Sequence, residues 1–161
     1  MLEGKLAELV KFGEENDAIS EKVHRLAMAL VGSRDFAALV QSLYFHLRED
    51  FAVPHVALRI WGKSVPADFQ EAGPVDEAQR RHASAMGGPQ CGQAAGNPFV
   101  AWFPEAAEQL RSVALVPLGQ TTAFGLLALG SEDPQRFYAE MGTLYLRRIG
   151  ELCAAGVSAR L

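Results

Sequence analysis

The fold is decided by the stretch Val113-Ala114-Leu115-Val116-Pro117-Leu118, Gly119-Gln120-Thr121-Thr122 and Ala123-Phe124-Gly125-Leu126-Leu127-Ala128-Leu129. Its two apolar runs, separated by a short polar turn, predict two strands that pair with each other. Because both runs are apolar at consecutive positions, we expect central strands that are covered on both faces. A loop at residues 130–137 follows and leads into a final helix.

The final helix is predicted from about residue 139. Its apolar stripe contains Met141, Leu144, Tyr145, Ile149, Leu152 and Cys153. Such a stripe indicates a helix that buries one face on a core. We expect the first and the last helix of the chain to pack together against the sheet.

Residues 2–30 predict a long helix with a heptad repeat. Position a holds Leu2, Leu9, Asn16, Val23 and Leu30, and position d holds Lys5, Phe12, Ile19 and Leu26. A helix of this length runs about 45 Å and outreaches a small domain, so we expect a dimeric coiled coil. Its seam comprises Leu9, Phe12, Asn16, Ile19, Val23 and Leu26. The alternative is a single amphipathic helix that lies on its own domain, with Asn16 at the solvated edge.

Between these two ends, the chain predicts a second helix and a third strand. Ser33 is a suitable N-cap for the helix, with Asp35 in its first turn, and apolar residues then recur at helical spacing up to Phe51. From His55 the pattern alternates, with Val56, Leu58 and Ile60 on one side and Ala57, Arg59 and Trp61 on the other. This alternation predicts a strand.

Residues 62–104 form an irregular segment with several glycines and prolines, which predicts a lid or a connection. We expect a short helix at residues 75–86, a short strand near residue 90 and a helical turn that Asn97 caps. Phe99 and Phe103 in that turn are expected in the core.

Composition excludes several classes of protein. With 161 residues, of which 49% are hydrophobic and 21% charged, the chain predicts one soluble globular domain. The net charge of −4 and the scattered basic residues argue against nucleic-acid binding. No apolar run approaches the ~20 residues that span a bilayer, so we expect no membrane contact and a cytoplasmic location. Cys91 and Cys153 show neither disulfide nor metal spacing and are expected as reduced thiols.

Arg59 is the sharpest candidate for ligand binding, because an inward guanidinium suits a carboxylate or a phosphate. The alternative is that Arg59 pairs with a local Asp or Glu or lies along the sheet edge. Trp61 and Trp102 are candidates for stacking on a planar ligand, although aromatics at this spacing are more often core residues. Cys91, beside Gly92, completes the candidate set, with a buried structural thiol as its alternative.

Motifs of catalysis and cofactor binding are missing. The sequence has no G-x-x-x-x-G-K-[ST] loop and no G-x-S-x-G elbow. Its four histidines have no spacing that suggests a metal site. We therefore expect a protein that is not an enzyme and holds no metal, and the sequence indicates no particular cofactor.

The order of elements over residues 30–161 resembles a GAF domain. The resemblance narrows to the bacterial, GAF-like family called domain of unknown function 484, on the segments Asn16-Asp17, Leu58-Arg59-Ile60-Trp61, Cys91-Gly92, Ser112-Val113-Ala114-Leu115-Val116-Pro117-Leu118, Gly125-Leu126-Leu127-Ala128-Leu129-Gly130-Ser131, Arg136-Phe137 and Met141-Gly142-Thr143. That family has no established catalytic role.

The resemblance implies an α+β, GAF-like (PAS-like) fold. A central antiparallel sheet would carry long N- and C-terminal helices on one face and the variable loops and short helices on the other. The chain would divide into a dimerisation helix at residues 1–32 and a GAF-like domain at residues 33–161. A pocket would lie between the sheet and residues 62–104.

The same resemblance implies a regulatory or sensory module that works as a homodimer and binds a small molecule or a protein partner. An alternative is a ligand-free dimerisation or scaffold module whose own aromatic residues fill the pocket. A thiol-dependent enzyme on a GAF fold is the third class, and it would need both cysteines in one site.

The heptad repeat yields a prediction for Asn16. We expect Asn16→Leu to raise the melting temperature and to permit oligomers larger than a dimer, because a polar residue at position a costs stability but fixes the oligomeric state. Calorimetry and sedimentation velocity measure the two effects. Unchanged melting and unchanged mass would show that Asn16 does not lie at a symmetric seam.

Overall fold

The computed structural model describes residues 2–139 and 143–161, and in the first helix it describes the side chains of Leu6, Ala7, Val10 and residues 17–31. The helices are α1 (Leu2–Val31), α2 (Phe36–Glu49), α3 (Glu77–Ala85) and α4 (Leu144–Arg160). The strands are β1 (His55–Ile60), β2 (Gln90–Gln93), β3 (Ser112–Leu118) and β4 (Gly125–Ser131). Two short 3-10 helices, Gln70–Ala72 and Pro98–Trp102, lie between them.

The four strands form one antiparallel sheet in the order β1-β4-β3-β2. The predicted strand pair, β3 and β4, lies at its centre, with Leu115 opposite Ala128. Gly119 opens the connecting turn with a φ of 122°, a conformation that favours glycine. The expected α+β fold with a central antiparallel sheet is confirmed.

Helices cover one face of this sheet. Leu58 and Ile60 of β1, with Val116 of β3 and Leu127 of β4, point into a core that α2 and α4 close. α1 packs across α2 and α4. The last helix therefore lies against the sheet as predicted, whereas α1 forms an outer layer on its two neighbouring helices.

The irregular middle region covers the other face. Ala57, Leu115 and Leu126 of the sheet pack there against Phe99 and Phe103, both of which are buried as predicted. All seven residues of β4 are buried. A strand with apolar cover on both sides needs apolar side chains at consecutive positions, which accounts for the sequence pattern.

The C-terminal part of α1 belongs to the core of its own chain. Leu26 and Leu30 are buried among residues of α2 and α4, and Val23 packs against the same cluster. Leu26 is thus a core residue and not part of an intermolecular seam, as in the alternative of a helix lying on its own domain. Ile19 is half-buried.

The rest of the predicted seam is not tested. The side chains of Leu9, Phe12 and Asn16 lie outside the described residues, so the coiled coil stays a prediction. The division into residues 1–32 and 33–161 also stays a prediction. Within the described residues, the structure contains no helix with the length and apolar character needed to cross a membrane.

Two predicted helix starts are wrong. Asp35, not Ser33, caps α2, since its Oδ1 accepts a hydrogen bond from the Ala38 amide at 2.8 Å. The Ser33 hydroxyl instead donates to the Ala29 carbonyl at 2.8 Å, in the last turn of α1. α4 begins at Leu144 rather than near residue 139, and this leucine is exposed because the core lies on the opposite side of the helix.

Other local predictions are confirmed, and one lies outside the described residues. Asn97 caps its helical turn, with Oδ1 accepting from the Phe99 amide at 2.9 Å. The short helix forms as α3, inside the predicted residues 75–86. Met141, which was placed on the last helix, is outside the described residues.

Arg160 ties the end of α4 to the end of α1. Its Nη2 donates to the Leu30 carbonyl at 2.7 Å, and its Nε donates to the Ser33 carbonyl at 2.9 Å. The last carbonyls of a helix have no partner within that helix, and a cation also suits the negative end of the helix dipole. The Arg160 guanidinium therefore caps the C-terminal end of α1 and fixes its position on α4.

We expect Arg160→Ala to lower the free energy of unfolding by about 1–3 kcal/mol, because hydrogen bonds from a charged donor to the α1 carbonyls are lost. Urea denaturation followed by circular dichroism measures the change. Arg148→Ala, at an exposed position of α4, is the matched control. Equal stability of the two variants would contradict a capping role for Arg160.

Candidate functional site

Arg59 lies on β1 and points to the sheet face that the middle region covers. Its guanidinium carbon is 5.6 Å from the centroid of the Trp102 ring, within the range of a cation–π contact. Its Nη1 donates to the Leu58 carbonyl at 2.9 Å. The structure thus brings together two of the four candidates, Arg59 and Trp102.

Gly73 allows the chain to pass close to the Arg59 side chain. A Cβ atom at position 73 would lie 3.1 Å from Arg59 Nε and 3.0 Å from the Gln70 carbonyl oxygen. Trp102 and Gly73 therefore both limit where the guanidinium can lie. Such restriction lowers the entropy that an arginine loses when it binds a ligand.

A cavity of about 410 Å³ opens beside Arg59 at the edge strand of the sheet. Tyr44 of α2, His55 at the start of β1, Gln70 of the first 3-10 helix and Trp102 are among its lining residues. Besides β1, which carries Arg59, three separate segments of the chain therefore meet at this cavity. The volume lies within the range of small-molecule sites.

Two arginines and one acidic residue line this cavity, namely Arg48, Arg59 and Glu105. His55 Nε2 is 3.2 Å from Glu132 Oε1. None of the ion pairs within the described part of the chain involves Arg59. The predicted alternative of a local carboxylate partner is therefore not observed.

Tyr44 and Glu71 form a buried hydrogen bond behind the cavity. The Tyr44 hydroxyl donates to Glu71 Oε2 at 2.7 Å, and Glu71 is only 4% exposed. Burial and then this hydrogen bond raise the pKa of Tyr44, while the charge of Arg59 acts in the opposite sense. The phenol consequently stays protonated and remains the donor that satisfies the buried carboxylate.

The Trp102 ring is part of the core as well as of the cavity wall. It is 7% exposed and meets the Phe99 ring edge to face, with centroids 5.0 Å apart. Its buried Nε1 has no hydrogen-bond partner among the described residues. An unpaired buried donor costs about 1–3 kcal/mol. The packing of the Trp102 ring in this wall is therefore favoured over a hydrogen bond from its Nε1.

The chain matches the family described as "Protein of unknown function, DUF484" over residues 1–158. It belongs to this family. A search of curated proteins gives no match.

Trp61 does not reach the cavity of this DUF484 protein. Its Nε1 donates to the Ala123 carbonyl at 3.1 Å, and the ring packs partly buried on the sheet face that holds Phe99. Trp61 therefore holds the end of β1 to the turn between β3 and β4. The prediction that it lines a ligand pocket with Arg59 is not supported by its position.

Cys91 lies on the opposite face of the sheet from Arg59. It pairs with Ala114 across β2 and β3, and it packs against the core that the helices cover. Burial raises the pKa of its thiol to about 11, against a smaller opposing effect of Arg136. Cys91 is thus a structural thiol, which corrects its assignment to the pocket.

The sequence analysis did not identify several residues of the site, among them Tyr44, Gln70 and Gly73. Tyr44 sits at helical spacing from buried leucines in α2, so it looks like an ordinary core residue. Its partner Glu71 is 27 positions away, and only the packing of α2 against the first 3-10 helix brings them together. In residues 2–139 and 143–161, no group of three or more His, Cys, Asp or Glu residues is placed to hold a metal ion.

The raised pKa of Cys91 predicts slow alkylation. At pH 8 only about one thiol in a thousand would be ionised with a pKa of about 11, and the thiolate is the nucleophile. We expect the rate with iodoacetamide to rise with pH towards that value. Mass spectrometry of wild type and Cys91→Ser assigns the reaction, since burial raises the pKa of Cys153 to about 12. Reaction at the rate of free cysteine at pH 8 would contradict the raised pKa of this half-buried thiol.

Proposed function

We propose that this DUF484 protein is a regulatory module that binds a small carboxylate- or phosphate-bearing molecule at Arg59. The observation that carries the proposal is the guanidinium itself. It is positioned by Trp102 and Gly73 beside a cavity, and it has no carboxylate partner in the described part of the chain. Of its five N–H donors, one nitrogen already donates to Leu58, which leaves the others for a planar anionic group.

The layered architecture supports a sensory role. The sheet carries helices on one face and the irregular middle region on the other, which is the arrangement implied by the resemblance to GAF domains. The raised pKa values of Cys91 and Cys153 support binding rather than thiol-based catalysis. Both cysteines lie on the helix side of the sheet, away from Arg59.

We further propose that α1 transmits the bound state to a second copy of the chain. Leu6 and Val10 are 64% and 53% exposed, as expected for a helix whose first turns extend towards a partner. Tyr44 lines the cavity from α2, and α2 packs on α1. A ligand that moves Arg59 and Tyr44 would therefore shift the helix on which α1 rests.

The second candidate is a ligand-free scaffold. It is favoured by the way Phe99, Trp102 and Phe103 fill the sheet face beneath the middle region. In this case the contact between Arg59 and Trp102 is purely structural. The two candidates make opposite predictions for a ligand screen.

We expect thermal-shift screening of small carboxylates and phosphate esters to find a compound that stabilises the wild type. A ligand at a hundred times its Kd adds about 2.7 kcal/mol to the free energy of unfolding. Titration calorimetry should then show that Arg59→Gln binds this compound about tenfold more weakly than the wild type, or weaker still, because charge-assisted hydrogen bonds are lost. Arg80→Gln, at an exposed position of α3, is the control and should bind normally.

Gly73→Ala provides an independent variant of the same site. The added methyl group would crowd Arg59 Nε and so displace the guanidinium without removing its charge. Weaker ligand binding by this variant would support a positioned arginine. If no compound stabilises the wild type, the scaffold candidate is the better description. A compound that binds Arg59→Gln as well as the wild type would contradict binding at Arg59.

A further inference from the structure

A larger groove, of about 910 Å³, lies near the turn between β3 and β4 and shares no lining residue with the Arg59 cavity. Its walls come from α4, from that turn, from the segment after β1 and from the turn that connects α3 to β2. We propose that this groove is a second anion site, which binds the phosphate groups of a small molecule between Lys63 and Arg147.

Arg147 lines the groove, and its guanidinium lies against Gly88. A Cβ atom at position 88 would lie only 2.5 Å from Arg147 Nη2 and 3.1 Å from its Cζ, so the guanidinium rests directly on the glycine backbone. A side chain at position 88 would require the guanidinium to shift from this position.

Glu151 does not neutralise Arg147. The two residues are one helical turn apart and both line the groove, yet no ion pair joins them in the described part of the structure. An arginine that precedes a glutamate by four positions has the weaker orientation for such a pair. Within the described residues, the Arg147 guanidinium therefore has no carboxylate partner.

Lys63 supplies the second cation. Its Nζ lies 4.8 Å from the centroid of the Phe124 ring, which holds the ammonium group at the groove through a cation–π contact. The backbone just before it is fixed, because the amides of Trp61 and Gly62 donate to the Phe124 carbonyl at 2.9 and 3.0 Å. Lys63 is therefore positioned by the end of the β3–β4 connection rather than by a carboxylate.

Neutral polar groups complete the site. Thr121 and Thr122 in the turn, together with Ser84 and Ser158, line the groove with hydroxyl groups that donate hydrogen bonds. Two cations and one carboxylate leave a net positive charge. This combination suits a phosphate, which carries up to two negative charges and accepts several hydrogen bonds at once. The groove is larger than a single phosphate group, so it has room for a phosphorylated small molecule.

Pyrophosphate is the probe that tests this site. We expect titration calorimetry with the full chain to show binding that weakens about tenfold or more in Lys63→Gln and in Arg147→Gln. Arg148→Gln removes a neighbouring exposed charge from α4 and should leave binding unchanged. Gly88→Ala should weaken binding by displacing Arg147, and its melting temperature shows that the domain is still folded.

Amide chemical shifts locate the probe independently of affinity. We expect pyrophosphate to move the amide signals of Gly88, Thr121 and Thr122 and to leave those around Arg59 in place. Arg59→Gln should bind pyrophosphate normally, which separates this site from the proposed function. The proposal is overturned if pyrophosphate does not bind, if Arg148→Gln weakens binding as much as Arg147→Gln, or if the shifts and the loss of affinity follow Arg59.

Discussion

The burial of β3 and β4 on both faces is the constraint on which the rest of the structure depends. The backbone groups of these central strands are satisfied by their neighbours in the sheet, but their apolar side chains need cover above and below. The helices supply one cover and the aromatic residues of the middle region supply the other. Apolar side chains of the described residues therefore cover both faces of the centre of the sheet.

The candidate sites consequently lie at the margins of the sheet. Arg59 belongs to the edge strand β1, and here a cavity lies between α2 and the middle region. The larger groove lies beside the start of β2: Gln90 is opposite Leu115, and β3 continues beyond this pair to Leu118. A mismatch in strand length thus opens space beside α4. In both places a glycine, Gly73 or Gly88, lets an arginine lie against the backbone.

Both proposed sites adjoin helices that support α1. Tyr44 reaches the Arg59 cavity from α2, and Arg147 reaches the groove from α4. α1 packs on α2 and α4, and Arg160 of α4 caps its C-terminal end, so the position of α1 depends on both helices. Both proposed sites are therefore lined by a helix that contacts α1.

The sequence by itself determined what local periodicity encodes. It specified the central strand pair, the strand on which Arg59 points away from Leu58, the turn capped by Asn97 and the family to which the chain belongs. Only the tertiary structure decided which face Cys91 occupies, since that depends on the register of β2 against β3. It also decided that Leu26 is buried within its own chain, and that Tyr44 meets Glu71 and Arg147 meets Gly88. The physical reason is that spacing along the chain fixes the face of an element, whereas contacts between distant elements arise only when those elements pack.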